Sequence, residues 1–592
     1  MPIKEFLRRY GWVYLPGFLF LALNSYLQSK VPEALGDAID ILSETAPARA
    51  SLMRQAGIIA LIGVSVFLAR VLWRLFIIVN ARRMEVFLRE KLYVKLQELP
   101  LTFFRHQTSG DLMAYAINDV GAVRMTFGPV LALGINSIGV AVLSIIGMIG
   151  EVELSMTLLA LAPVPLALAA TFILGSRIQK RSLRVQKLFA GMSGFVNESI
   201  SGIKVIKSFA REKEREAKFE AVSDEMRDAN VALTDVSAMM NPCVTAAFGL
   251  SYAVALIVGG NAVIDGTIGA GTLVTFLGYL TLVQQPVVQL GNLINRVQRG
   301  LASYKRLNAI FKEPAVPESE RRFKKSLDES FTPELRAEGL GFRYPDAEES
   351  QPDALRDISF RVKAGGTLGI TGPTGCGKTT LLTVIAKLQN VERDMLYISS
   401  EDICDFPAVQ LRAYAGYVPQ DGFLFSATIA ENIALGGEID MERVRECARL
   451  ACICDEIEAF PNGFDTEVGE RGTHLSGGQK QRVALARALY RSPRLLLLDD
   501  TLSAVDNLTE QRLIENLGLS GDGRGGSELI DLSKTTVIIV SHRLSALEKC
   551  DEIIHIEDGC VTERGTHAEL LALNGAYAET YRKQAEEGSA DE

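Results

Sequence analysis

A membrane-spanning, all-helical half followed by a soluble α/β half is the fold class this 592-residue sequence predicts. Three observations predict it. Six apolar stretches, each near the ~20 residues needed to cross a bilayer, precede Phe311. A charged stretch rich in Ser and Pro then breaks the pattern. Beyond it, short β-branched runs alternate with helical stretches, the rhythm of a mostly parallel sheet. The composition agrees, since 48% hydrophobic residues and a mean hydropathy of +0.16 are high for a purely soluble protein.

The six spans are predicted at Trp12–Val31, Ala56–Phe76, Gly128–Gly150, Leu154–Leu174, Val244–Ile264 and Thr272–Ile294. A soluble helical core contains one or two such runs, not six. The start, MPIKEFLRRYGW, has no early small-residue cleavage site, so the first apolar run reads as a retained helix. Orientation follows from the flanking charges. Lys4, Arg8 and Arg9 precede span one, and Arg82, Arg83, Arg89 and Lys91 follow span two. Five basic residues from Arg177 to Lys187 follow span four, and Arg296, Arg299, Lys305 and Arg306 follow span six. The third–fourth connection offers only Glu151 and Glu153, and the fifth–sixth only Asp265. The positive-inside rule therefore places both termini in the cytoplasm.

Both inner connections are long and helical in pattern, so the spans are expected to continue past the membrane. Each holds a Gly-punctuated patch, TSGDLMAYAINDV from Thr108 and SGFVNESISGIKVIKSFARE from Ser193, where a helix is expected to turn and offer a short helix to another domain. Arg70 and Arg74 lie in the inner part of span two, where charged side chains face protein or a water-filled cavity. A structural ion pair is the expectation favoured for them, with substrate contact as the alternative. Gln284 and Gln285, before Pro286 in span six, are a second cavity candidate, and Pro286 removes a backbone donor where it would kink the helix.

The division by sequence is 1–311 for the membrane domain, 312–334 for the linker, 335–580 for the α/β domain and 581–592 for an acidic, disordered tail. A net charge of −9 with no basic stripe argues against nucleic acid as a partner. Seven of the eight cysteines lie after residue 370, and Cys452 and Cys454 have no second pair to complete a zinc site. Free thiols in a reducing cytosol are the expectation.

The chemistry starts at TLGITGPTGCGKTT. A strand, Thr367–Thr371, leads into Gly372, Pro373, Thr374, Gly375, Cys376, Gly377, Lys378 and Thr379, which fit GxxxxGK[ST], with Thr380 next. Glycines let backbone amides face phosphate oxygens at a helix start, where the dipole also favours anions. Lys378 is expected on the β- and γ-phosphates and Thr379 on Mg²⁺. RLLLLDD from Arg494 is a buried strand ending in acid, which puts Asp499 at the magnesium. His542, between Ser541 and Arg543 at another strand end, is expected at the γ-phosphate.

With LSGGQ at Leu475–Gln479 between the phosphate loop and LLLLDD, the chain resembles ABC exporters, specifically bacterial multidrug-type half-transporters. The resemblance covers nearly its whole length. It implies that Tyr344 in FRYPD stacks on adenine and that Gln420 in YVPQD contacts Mg²⁺. It implies that Ser476, Gly477, Gly478 and Gln479 act on the ATP bound by a second subunit. SAVD, Ser503–Asp506, matches the D-loop, TEVGERG the exporter-specific segment, and the two Gly-punctuated patches the coupling helices. The cofactors implied are ATP and Mg²⁺, and the partners are a second half-transporter, the lipid bilayer and a small amphipathic substrate. The location implied is the bacterial inner membrane.

One departure stands out. Asp500 occupies the place where the family has a catalytic Glu, one methylene longer. In heterodimeric exporters one subunit carries Asp here with an intact signature, and its partner carries Glu with an altered one. The resemblance thus implies the subunit with the weakened ATP site. Asp500, His542 and Gln420 are the catalytic candidates, and retention of His542 leaves room for slow local hydrolysis. A homodimeric drug or lipid flippase using Asp500 as base, or an ATP-binding regulatory subunit, are the alternatives. The insertion Gly518–Gly526 has no assigned role.

Overall fold

A computed structural model describes residues 2–43, 49–314, 333–347, 350–469, 475–503, 505–519 and 526–590, with backbone alone at 290–292 and 587–590. Two compact units result: Met1–Glu98 with Gln107–Glu313, and Leu99–His106 with Pro314–Glu592.

The first unit is all helix because long apolar runs in lipid must satisfy every backbone group internally. It contains α1 (Pro2–Tyr10), α2 (Tyr14–Ser43) and α3 (Arg49–Glu98). α4 (Leu101–Arg105) belongs to the second unit. α5 (Ser109–Ala114), α6 (Val120–Met125) and α7 (Leu131–Glu151) form one run joined by π turns at Tyr115–Asp119 and Thr126–Val130. α8 (Leu154–Leu161), α9 (Val164–Ser201), α10 (Ile203–Ser208), α11 (Glu212–Ile264) and α12 (Ala270–Lys312) complete it.

Among the described residues, five helical runs are long and apolar enough to cross a membrane. The sixth expected span lies in α2, whose 30 residues suffice in length but carry Lys30, Glu33, Asp37 and Asp40 in the second half. At 1.5 Å per residue, the 50 residues of α3 extend about 75 Å, well past a ~30 Å hydrocarbon core.

Close helix packing rests on small residues. A Cβ on Gly36 would lie 1.9 Å from Thr275 Oγ1 and 2.5 Å from the Gly271 carbonyl, so α2 and α12 meet at backbone distance. Asp40 accepts the Gly271 N–H there at 2.7 Å.

Two expectations shift. The first inner patch begins a helix rather than breaking one: Thr108 caps α5 in a reciprocal pair with Asp111. The short separate helix is α4, started by Pro100 and lying just ahead of Thr108, whereas in the second patch it is α10, as placed by sequence. α12 runs unbroken through Pro286, and Gln289, not Gln284 or Gln285, lines the crevice beside it.

The second unit is built on two sheets. The strands are β1 (Leu335–Phe342), β2 (Leu355–Val362), β3 (Thr367–Thr371), β4 (Leu396–Ile398), β5 (Glu401–Asp402), β6 (Ala415–Val418), β7 (Leu495–Asp499), β8 (Thr536–Val540), β9 (Glu552–Glu557) and β10 (Cys560–Gly565). The first sheet has order β2-β1-β4-β5 and is antiparallel. The other has order β10-β9-β3-β8-β7-β6, parallel throughout except for β10. β7 and β8 are buried at every position, as both-faced parallel strands must be.

The helices are α13 (Lys378–Ile385), α14 (Ala408–Tyr414), α15 (Ile429–Ala434), α16 (Met441–Leu450), α17 (Cys454–Glu458), α18 (Gly477–Tyr490), α19 (Asn507–Asn516), α20 (His567–Leu573) and α21 (Ala576–Ala590). The acidic tail expected to be disordered is instead helical through Ala590 as part of α21. All eight cysteines are free thiols. Burial pushes Cys447 and Cys550 up to about 12.

Candidate functional site

β3, β7 and β8 are adjacent and parallel, so their carboxyl ends open on one side, where ligands bind in α/β sheets. The phosphate loop follows β3, Asp499 ends β7, and Ser541–His542 follows β8. A pocket of about 270 Å³ there is lined by Lys378, Thr379, Gln420, Asp499, Asp500 and His542, with Tyr344, Thr374, Gly375, Gly377 and Thr380 also on its wall.

The loop geometry requires its glycines. Gly372, Gly375 and Gly377 have φ of 144°, 84° and 108°. A Cβ on Gly372 would lie 2.1 Å from the Ile556 carbonyl, and one on Gly377 would lie 2.6 Å from the Ala354 carbonyl. Lys378 opens α13 and its ammonium donates to the Gly372 and Pro373 carbonyls, each at 2.7 Å. Cys376 is buried behind the loop, its thiol pushed up by burial.

Thr379 Oγ1 donates to Asp499 Oδ1 at 3.1 Å, and the Tyr417 hydroxyl donates to Asp499 Oδ2 at 3.4 Å. Burial raises the Asp499 carboxyl above the usual range, and Asp500 adds to this, against the hydrogen bonds and Lys378. A hydroxyl, a carboxylate and the Gln420 amide in one pocket form an all-oxygen donor set of the kind that suits Mg²⁺.

Asp500 is buried and sits at φ 51°, a left-handed conformation that Asp tolerates better than longer side chains. Its N–H donates to the Val540 carbonyl at 2.9 Å, and its Oδ1 accepts the His542 backbone N–H at 3.5 Å. The Tyr344 hydroxyl shares a 2.9 Å hydrogen bond with Thr380 Oγ1.

The signature residues lie outside this pocket. Ser476 is the N-cap of α18, in a reciprocal capping pair with Gln479, and Ser476 and Gly477 are exposed. Gln479 also donates to Glu456 at 2.9 Å, and Arg482 pairs with Glu456 at 2.6 Å. An exposed, capped helix N-terminus can receive an anion from outside. Glu470–Gly472 of the exporter-specific segment, Ala504 of the D-loop and positions 520–525 of the insertion lie outside the described residues.

Sequence reasoning missed three partners. Gln584 of α21 donates to the His542 carbonyl at 2.6 Å and accepts the Leu544 N–H at 3.0 Å. Glu510, 3% exposed, takes Arg543 at 2.8 Å and Ser545 at 2.6 Å, while Arg543 also donates to the Val505 carbonyl. Arg105, carried by α4 within this unit, lies over the Tyr344 ring, 4.1 Å from its centroid. Gln584 had no sequence signal, because the acidic composition around it pointed to disorder.

Two family descriptions match this chain: an ABC transporter transmembrane region over residues 14–287, and ABC transporter over 355–503. A probable multidrug resistance ABC transporter ATP-binding/permease protein of Bacillus subtilis is 33% identical over 99% of each chain. The chain belongs to the ABC exporter family. A multidrug resistance-like ATP-binding protein of Escherichia coli is 33% identical over 100% of this chain and 97% of its own. The ATP-dependent lipid A-core flippase of Salmonella typhimurium is 28% identical over 84% and 82%. Among solved structures, a bacterial Atm1-family ABC exporter with ATP bound superposes with a TM-score of 0.78 at 26% identity, over 98% of both chains. As in that family, the helical membrane part and the α/β ATPase part are joined in one exporter chain.

Proposed function

We propose that this chain is one subunit of an ATP-driven exporter moving amphipathic substrates out of the cytoplasm or inner leaflet of a bacterial inner membrane. Its partner is a second half-transporter that carries the catalytic Glu, and its own ATP site is the weaker of the two. The observation that supports this is Asp500, which lines the pocket with Lys378, Thr379, Gln420, Asp499 and His542 and whose carboxylate meets the His542 backbone; on this reading it takes the place of the family's catalytic Glu.

On this reading Tyr344 stacks on adenine. The amides from Gly372 to Thr380, among them those of Thr374, Gly375, Cys376 and Gly377, hold phosphate oxygens with the Lys378 ammonium; Pro373 sets the turn without a donor. Thr379, Gln420 and Asp499 hold Mg²⁺, which when bound neutralises charge on the β- and γ-phosphates. His542 donates to the γ-phosphate, and Asp500 accepts a proton from water across a longer gap than Glu would leave. Loss of good base geometry costs ~10²–10⁴-fold in rate. Ser476, Gly477, Gly478 and Gln479 complete the partner's site, so turnover is concentrated there.

The relatives named multidrug resistance proteins and a lipid A-core flippase support the substrate class. The homodimeric reading, with Asp500 as sufficient base, rests on the retention of His542 in the same pocket. Asp500→Asn in the assembled complex tests between them. Near-unchanged turnover fits the weakened site, and abolition makes Asp500 the working base.

A further inference from the structure

Several basic side chains of the membrane unit reach a carboxylate. Glu85, buried, takes Arg82, Arg89 and Arg124 within 2.8–3.1 Å, and Asp119 takes Arg306 through two hydrogen bonds. Arg70, Arg74 and Arg296 do not: among the described residues no acid pairs with any of them, so the ion pair expected for Arg70 and Arg74 is not formed. The three converge on one cavity of about 420 Å³, and no carboxylate lines it.

Its other polar groups are donors or neutral amides. Trp73 Nε1–H is buried there with no hydrogen-bond partner. Asn24 donates to Asn136 Oδ1 at 2.9 Å on the opposite wall. All three arginines are exposed to this open cavity, and Arg74 also lies over the Trp73 ring, 5.7 Å from its centroid. A guanidinium fork without a carboxylate partner matches phosphate or carboxylate bidentately.

Leu133 of α7 lines this cavity and also a second, apolar crevice of about 270 Å³. That crevice follows α7 through Ile138, Val142 and Ile145 against Val164, Leu168 and Val287. From Leu133 to Ile145 it extends about 18 Å along the helix. A cationic pocket thus opens beside an apolar slot of alkyl-chain length.

We propose that this pair of cavities binds an anionic amphiphile, its phosphate or carboxylate headgroup among Arg70, Arg74 and Arg296 and its apolar chain along α7. The proposal rests on the export reading and narrows its substrate from amphiphiles in general to anionic ones.

The sequence supplies its own probe. Trp12 and Trp73 are the only tryptophans, so the Trp12→Phe chain in zwitterionic phosphatidylcholine nanodiscs reports from the cavity alone. Dodecyl phosphate is expected to shift Trp73 fluorescence saturably, while dodecyltrimethylammonium and inorganic phosphate bind at least tenfold more weakly. Trp73→Phe with Trp12 present controls for partition into the disc. Each Arg→Gln is expected to weaken dodecyl phosphate about tenfold, and the triple variant at least a hundredfold. Arg74→Lys keeps the charge and should stay within a few fold, which separates lost affinity from lost folding.

Equal response to the cationic amphiphile, or an unchanged triple variant, overturns the proposal. Phosphate alone binding as tightly as its dodecyl ester overturns the role of the crevice. Phosphatidylglycerol in the discs competing with dodecyl phosphate identifies a membrane lipid headgroup as the ligand source, and no competition identifies a free amphiphile; both keep the ligand anionic. The fluorescence readout needs no turnover, so failure of ATP-driven export in sealed proteoliposomes of the same lipid would remove the functional reading without touching the site.

Discussion

Replacing Asp500 by Glu tests the chemistry of the local ATP site directly. The change adds one methylene, about 1.5 Å of reach, to a carboxylate whose Oδ1 now meets the His542 N–H at 3.5 Å. If reach limits hydrolysis, part of the ~10²–10⁴-fold contribution of a well-placed base returns, and the rate at this chain's own site rises at least tenfold. The backbone sets an opposing cost. Position 500 holds φ 51°, which a Glu adopts less readily than Asp, at roughly 1–2 kcal/mol. For a unit of this size that lowers the melting temperature by about 2–8 °C. The assay is single-turnover hydrolysis of labelled ATP by the full chain assembled in lipid with a partner whose own phosphate-loop Lys is replaced, with thermal unfolding on the same samples. A faster, slightly less stable variant is expected. A variant with unchanged rate would refute the argument that carboxylate reach weakens the site.

Three further outcomes follow from the same geometry. Gly372→Ala drives a Cβ to 2.1 Å from the Ile556 carbonyl at φ 144°, so fluorescent-ATP binding should fall at least a hundredfold, whereas Gly375→Ala meets no atom within 4 Å and should lose only a few fold through its φ of 84°. On the proposed reading Mg²⁺ is held by the ionised Asp499, whose carboxyl stays protonated to higher pH than an ordinary Asp because it is buried. Mg²⁺ affinity, read by titration of the ATP-bound chain, should therefore rise up to tenfold per pH unit through that range and level off above it. Tyr417→Phe, which removes a hydrogen bond to the carboxylate, should move the midpoint further up. Gln584→Ala should cost about 1–3 kcal/mol by releasing the two backbone hydrogen bonds at His542 and Leu544, and should slow turnover of the assembled exporter without weakening ATP binding.

The parts of this chain that sequence revealed are those encoded by short, local patterns. GPTGCGKT dictates its own loop because positive φ at Gly372, Gly375 and Gly377 leaves few other residues possible. LLLLDD and VIIVSH announced buried parallel strands because both faces are apolar, and five of the six expected spans follow from length and hydropathy among the described residues. What stayed hidden depends on pairing across long separations. Gln584 reaches back to His542 from a segment whose composition pointed to disorder. Arg543 finds Glu510 on α19, and nothing in either local sequence marks the pair. Arg296 joins Arg70 and Arg74 only because α12 and α3 border one cavity; its sequence position served only to orient the membrane topology. The short helix before Thr108 was readable in principle, since Pro100 marks its start, but the glycine further on drew the boundary too late.

The central claim is that this chain hydrolyses ATP poorly at its own site and works through a Glu-bearing partner. The most direct test is the mass and ATPase rate of the purified chain in lipid, first alone and then with such a partner. A chain that is monomeric or inactive alone and gains turnover with the partner, most of it lost when the partner's own phosphate-loop Lys is replaced, is the predicted result. A stable homodimer with full activity alone, abolished by Asp500→Asn, would contradict it.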